Sequence, residues 1–128
     1  MLNKADLKWV DAPPSLPKGA KVAIITGDPS KEGWYTIRVM LPENYKVPPH
    51  WHPADEHLTV IEGTLYMGLG EQFDESKATQ LNEQGYSLLP AKTAHYAFSK
   101  GKCLFEATAM GPYAINYIHP ADDPRKKQ

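Results

Sequence analysis

The stretch PPHWHPADEHLTVIEG, residues 48–63, holds three of the five histidines in the chain and governs how the rest is read. Pro48, Pro49 and Pro53 rule out a regular helix, because a proline lacks the amide hydrogen and its ring clashes with the preceding turn. Extended backbone remains, and there residues two apart point to the same side. His50 and His52 then stand side by side, whereas on a helix they would diverge by about 200°. Two adjacent imidazoles suit a metal ion; an exposed pair in a proline-rich loop has the same spacing. Glu56 follows beyond the Pro53–Ala54–Asp55 bend, and a chain that turns at the proline brings its carboxylate back over the same face. His57 and Asp55 have the opposite parity, so His57 is read as an outer-face residue and Asp55 as a turn acid. Trp51, between the two histidines, is expected to face away from them.

Outward from this stretch the chain reads as short strands. Twelve prolines and nine glycines punctuate it, which argues against long helices. YTIRVML (35–41) alternates, with Tyr35, Ile37, Val39 and Leu41 on one face. HLTVI (57–61) and TLYMGLG (64–70) are expected to pair as a hairpin about Glu62–Gly63. Residues 71–85 are polar and loop-like, with a short strand at 77–81. YSLLP (86–90), HYAFS (95–99), CLFEATAM (103–110) and AINYI (114–118) complete the series. Strands at this spacing predict a sandwich or a barrel. The sequence HPAD recurs at 52–55 and 119–122 and is read as shared turn chemistry, with His119 exposed near the tail.

The composition is that of an ordinary globular chain: 41% apolar and 23% charged residues, with a net charge of −1. That balance offers no basic surface, so neither a nucleic acid nor a membrane is expected as a partner. Residues 1–128 are read as one domain. The basic run RKK (125–127) is read as a solvated tail. The single cysteine, Cys103, excludes an internal disulfide and is expected to be a small buried apolar group. No apolar run approaches a membrane span and no leader pattern opens the chain, so a cytoplasmic location is expected. Trp51, Tyr96 and Phe98 are placed on an aromatic outer face that would be costly to leave wet, which predicts a homodimer.

His50, His52, Glu56 and Gly63 fall in the pattern H-x-H-x3-E-x6-G, and His95 closes a second pattern, G-x4-P-x4-H, over GYSLLPAKTAH (85–95). The first resembles the first motif of the cupin superfamily and the second resembles its second motif. Departures are Asn44, where a glycine is usual before the histidine pair, and Lys92, where a turn glycine is common. The interval from Gly85 to Pro90 is one residue short, and Ser99 stands in a place often held by asparagine. The resemblance implies an all-β fold, a double-stranded β-helix or jelly-roll barrel, with a core about 20–118 and two terminal arms. It also implies that His50, His52, Glu56 and His95 hold one divalent metal ion inside the barrel.

Three imidazoles and a carboxylate without a thiolate suit Zn, Fe, Mn, Ni, Co or Cu. Glu56 is the one such ligand able to detach and accept a proton, which makes it the candidate general base. No Ser-His-Asp or Cys-His arrangement competes, and Gly68 and Gly70 precede no helix that would make a phosphate loop. Leu58, Val60 and Ala97 are expected to leave an apolar pocket for a small organic ligand beside the metal. The resulting expectation is a metal-dependent enzyme, of oxygenase type or an isomerase or lyase, acting on a small-molecule substrate. The alternatives are a non-catalytic metal-containing binding or sensor module, and a barrel merely braced by metal.

Overall fold

Residues 1–126 are described in the computed structural model of this chain. The alternating run at 35–41 lies in β3 (Gly33–Leu41), which pairs antiparallel along its whole length with β10 (Cys103–Gly111). Around this spine the larger sheet adds β1 (Val10–Asp11) and β2 (Lys21–Thr26) on one side. On the other side lie β5 (Glu56–Glu62) and β8 (Tyr86–Leu89). The smaller sheet runs β11 (Asn116–Tyr117), β4 (Lys46–Trp51), β9 (His95–Phe98), β6 (Leu65–Leu69) and β7 (Thr79–Leu81). All pairings are antiparallel, and the two sheets enclose a core that includes Val39, Leu41, Leu58, Val60 and Leu65. This is an all-β jelly roll, as the resemblance implied. Among the described residues no helix is long and apolar enough to cross a membrane.

The hairpin about Glu62–Gly63 does not form. β5 pairs with β10 and β8, whereas β6 pairs with β9 and β7, so the chain changes sheets at this corner. Gly63 has φ 77, and a Cβ there would lie 2.4 Å from the Lys102 carbonyl oxygen. The corner therefore needs glycine for its conformation and for its space. Alternation told which face of each run is buried, and that information does not name the partner strand.

β4 carries a distortion that matters for function. Val47 pairs with Ala97, but His50 pairs with His95, so three steps on β4 oppose two on β9. The extra residue falls at Pro48–Pro49, where the missing amide hydrogens interrupt the ladder. The bulge lets Val47 and His50, three residues apart, face the same interior. Asn44 and Lys92, which replace glycines of the motifs, both take positive φ, 54 and 65.

Tyr96 and Phe98 point away from the interior, as their parity requires, but neither is wet: they are 1% and 2% exposed. The polar segment after β6 folds over them. Phe73 packs 5.0 Å from Tyr96 and 5.6 Å from Phe98, Tyr66 stacks on Phe98 at 4.9 Å, and the Tyr96 hydroxyl donates to the Asp74 carbonyl at 2.5 Å. These two rings are thus covered within the chain and do not carry the homodimer expectation. The exposed large apolar side chains include Trp34, Met110, Tyr86 and Leu88, all on the outer face of the larger sheet.

The tail also differs from a free solvated run. Arg125 makes two hydrogen bonds to the Asp123 carboxylate, 2.9 and 3.0 Å, and a third to the Ile115 carbonyl at 3.1 Å. Lys127 lies outside the described residues. Cys103 is 2% exposed at the start of β10, the small apolar role expected of it.

Candidate metal centre and cavity

His50 and His95 face each other across β4 and β9, and His52, one residue past the end of β4, joins them on the same side. The ring centroids are 4.2 Å apart for His50–His95, 4.9 Å for His50–His52 and 5.3 Å for His52–His95. One ligand nitrogen from each ring lies within 4.8 Å of the other two. His50 and His95 are fully buried and His52 nearly so. His95 is far from the other two in sequence, and the three imidazoles meet because the bulge and the cross-strand register put them there.

Each ring is held by a backbone carbonyl. Nδ1 of His50 lies 2.6 Å from the Pro48 oxygen, Nδ1 of His52 2.8 Å from Ala114, and Nδ1 of His95 2.9 Å from Thr93. A carbonyl only accepts, so Nδ1 carries the hydrogen in all three, and Nε2 is the nitrogen left to face a metal ion. Burial holds His50 well below the usual imidazole range, and the neighbouring His95 and His52 push the same way. Burial likewise lowers His95. Imidazoles whose Nδ1 is tied to a backbone carbonyl and whose Nε2 faces inward suit a first-row metal. The residues present therefore fit a metal ion: His50, His52 and His95 could hold one.

Glu56 opens β5 beside this group. Its Oε2 lies 3.9 Å from His52 Nε2, near the cluster yet outside the set of mutually close ligand atoms. It lines both the main cavity and a small recess shared with Tyr35, His52 and Tyr113. Burial, and then the Glu56 charge, push the Tyr35 hydroxyl up to about 12, and the same two causes raise Tyr113. Both phenols are thus protonated at neutral pH.

The other candidates lie elsewhere. The His57 ring is on the outer face, with Nδ1 2.5 Å from the Tyr86 hydroxyl. Asp55 accepts a hydrogen bond from the Ala91 amide at 2.7 Å and ties the bend before β5 to the loop before His95. The Lys92 amide donates to the His52 carbonyl at 2.8 Å in the same junction. His119 is half-buried, its Nε2 2.9 Å from the Glu71 carbonyl.

The imidazoles close one end of a cavity of about 290 Å³. Leu58 and Ala97 line it as their parity suggested; Val60 is buried within the core. Sequence reasoning missed the N-terminal arm. Val10, Pro13 and Leu16 form part of the cavity wall, and the arm is pinned by Tyr45, which donates to the Pro17 carbonyl, and by Tyr117, which donates to Ser15 at 2.5 Å. The signal available was the apolar and proline content of VDAPPSLP, which reads equally well as a loose arm.

Residues 24–126 match the model of a family described as a domain of unknown function, DUF4437. No curated protein matches the sequence. Among solved structures, the chain is similar to the polyketide cyclase RemF from Streptomyces resistomycificus, with a TM-score of 0.77 and 18% identity over 97% of this chain and 88% of that one. It is also similar to an RmlC-like cupin from Shewanella frigidimarina, at TM-score 0.68 and 12% identity, covering 85% and 87% of the two chains. A third is the DMSP lyase DddQ from Ruegeria pomeroyi, at TM-score 0.71 and 14% identity, covering 91% of this chain and 63% of that one. At such identities the likeness establishes the cupin fold, on which several enzymes are built.

Proposed function

This chain belongs to the DUF4437 family and folds as a cupin, and from that premise we propose that it is a metal-dependent enzyme acting on a small organic molecule in the barrel cavity. The observation that carries the reading is the convergence of three Nδ1-tethered imidazoles on one end of an apolar cavity. His50, His52 and His95 would hold one divalent ion, with Glu56 as a fourth ligand able to leave it. Such an ion would supply Lewis acidity toward one substrate oxygen.

The position of Glu56 favours proton transfer over the oxygenase chemistry that the sequence placed first. Its carboxylate faces the cavity and is not enclosed by the three rings. It would take a proton from the carbon next to a substrate carbonyl, and the C–H electron pair would move into that carbonyl. The same carboxylate returns the proton at a second atom, which is isomerisation; or the electron pair forms a C=C bond as a group leaves the next carbon, which is a lyase step; or it attacks a second carbonyl carbon of the same molecule, whose oxygen takes up the proton, which is cyclisation. Tyr35 and Tyr113 do not compete as bases, because both stay protonated. That RemF is a polyketide cyclase and DddQ a DMSP lyase supports the same class. Oxygenase turnover is the second reading, since three nitrogen donors suit iron as well as zinc.

Metal analysis of purified protein tests the site. The native chain is expected to hold one equivalent and the double variant His50→Ala/His52→Ala none; full occupancy in that variant would overturn the assignment. Glu56→Gln is expected to keep most of the metal and to lose about 100-fold or more in turnover, the usual scale for a general base. Dioxygen uptake with substrate would put the oxygenase reading first, and binding without product would make the protein a sensor.

A further inference from the structure

The cavity wall is selective in what it lacks. Among the described residues, its ionisable side chains besides the three histidines and the Tyr45 and Tyr113 phenols are Glu56 beside the cluster and Asp11, and Asp11 is paired with Lys21. Among the described residues, no lysine, arginine, asparagine, glutamine, serine or threonine lines it. The Tyr45 phenol is engaged with the Pro17 carbonyl, and Tyr113 stands at the cluster end, its ring 5.7 Å from His52. The remainder is hydrocarbon and thioether, typified by Ile37, Val39, Leu58, Met67, Phe105 and Ile115.

A ligand in this space finds hydrogen-bonding partners at one end alone. A hydroxyl or carboxylate placed against the buried walls at Leu58, Leu65 and Met67 would be stripped of water without compensation, at about 1–3 kcal/mol for a neutral group and more for a charge. A sugar, a phosphate ester or a molecule with charge at both ends is therefore rejected. The volume, about 290 Å³, equals on the order of ten water-sized shares of ~30 Å³. That is compact for a small-molecule pocket, and a rigid ring fills it with less entropy lost than a flexible chain of the same bulk.

Resting on the metal-site reading, we propose that the substrate is an uncharged, mainly hydrocarbon ring compound of about two fused rings with a single oxygen-bearing edge, a phenol, enol or ketone, that edge lying at His50, His52 and His95. The apolar body takes the opposite end, against Met67 and Phe105.

Calorimetry with the full chain, metal-loaded, tests this with three probes: 2-naphthol, 6-hydroxy-2-naphthoate and malonate. The first has one oxygen edge, the second adds a carboxylate on the far ring, and the third is a charged chelator without an apolar body. 2-Naphthol is expected to bind with a negative heat-capacity change. 6-Hydroxy-2-naphthoate is expected to bind about tenfold more weakly or worse, since its far carboxylate is buried unpaired. Malonate is expected to bind more weakly than 2-naphthol. Location is read from methionine methyl resonances: of the four methionines, Met67 alone lines the cavity and its signal alone should move. Equal or tighter binding of either charged probe, or no Met67 shift, overturns the proposal. Metal content measured on the same sample separates the two readings. Protein without metal that still binds 2-naphthol at Met67 would sink the metal-site reading, and loaded protein that prefers malonate would sink the substrate class.

Discussion

The two faces of β9 differ by one step of the pleat and by nearly everything else. Inward, His95 and Ala97 look into the cavity, where the imidazole joins His50 and His52 and the small side chain leaves room. Outward, Tyr96 and Phe98 are sealed under Phe73 and Tyr66. Both faces are buried, yet one is built to be filled by something else and the other is already full. Stability and chemistry are thereby assigned to alternate residues of one strand, and substitutions on each face should separate them.

The largest loss of stability belongs to the filled face. Phe98→Ala removes a ring that is 2% exposed and stacked on Tyr66; about 3–5 kcal/mol is expected. Denaturant unfolding measures it, and metal per folded chain should not change. A variant that loses metal in step with stability would mean that the two faces are one cooperative unit.

Gly68→Ala comes next. Gly68 pairs with Tyr96, and a Cβ there would lie 2.0 Å from the ring. The ring must swing off the strand, which also breaks its hydroxyl contact with Asp74, and overpacking of this kind costs about 1–3 kcal/mol. Pairing the change with Tyr96→Ala gives a double-mutant cycle. Strong coupling places the strain at this contact; additivity would place it elsewhere.

How much of this was visible in the residues follows the same division. The inner face was legible: His50, His52, Glu56 and His95 stand at motif spacings, and parity turned them inward. The bulge that aligns His50 with Val47 was not, because a proline pair reports a broken ladder without saying that one residue is extruded. The outer face was half legible. Parity set Tyr96 and Phe98 outward, but their cover comes from Phe73, one ring in a polar segment with no period to mark it. β2 escaped notice because KVAIIT follows a proline-rich arm and offers little alternation. The Glu62–Gly63 hairpin was misread because a glycine corner between two strands looks the same whether the chain pairs back or changes sheets.

His95→Gln, on the inner face, should be mild in stability and severe in metal content. The ring donates one hydrogen bond, to Thr93, so its loss is worth about 0.5–1.5 kcal/mol. Metal titration should show at least about tenfold weaker binding, the scale seen even when only a ligand's outer partner is lost. Native-like affinity in His95→Gln would mean that His95 is not a ligand.

The smallest signal sharpens the comparison without touching either face. Cys103 is buried where β10 starts, and burial raises its thiol to about 11 from an ordinary 9. The direction means that the folded state keeps the proton. At neutral pH the folded chain carries almost no thiolate, the form that attacks a disulfide reagent. The unfolded chain gives up its proton near its ordinary value, so this group contributes stability below about pH 9 that is lost as the pH rises toward 11. Labelling of Cys103 at neutral pH therefore reports opening of the fold. Its rate should rise in Phe98→Ala in proportion to the larger unfolded population, by about 100-fold or more, and in His95→Gln by only about 2- to 10-fold. Equal acceleration in the two variants would show that emptying the imidazole cluster loosens the barrel as much as emptying the aromatic seal. The ligand cluster would then be part of what holds the sheets together.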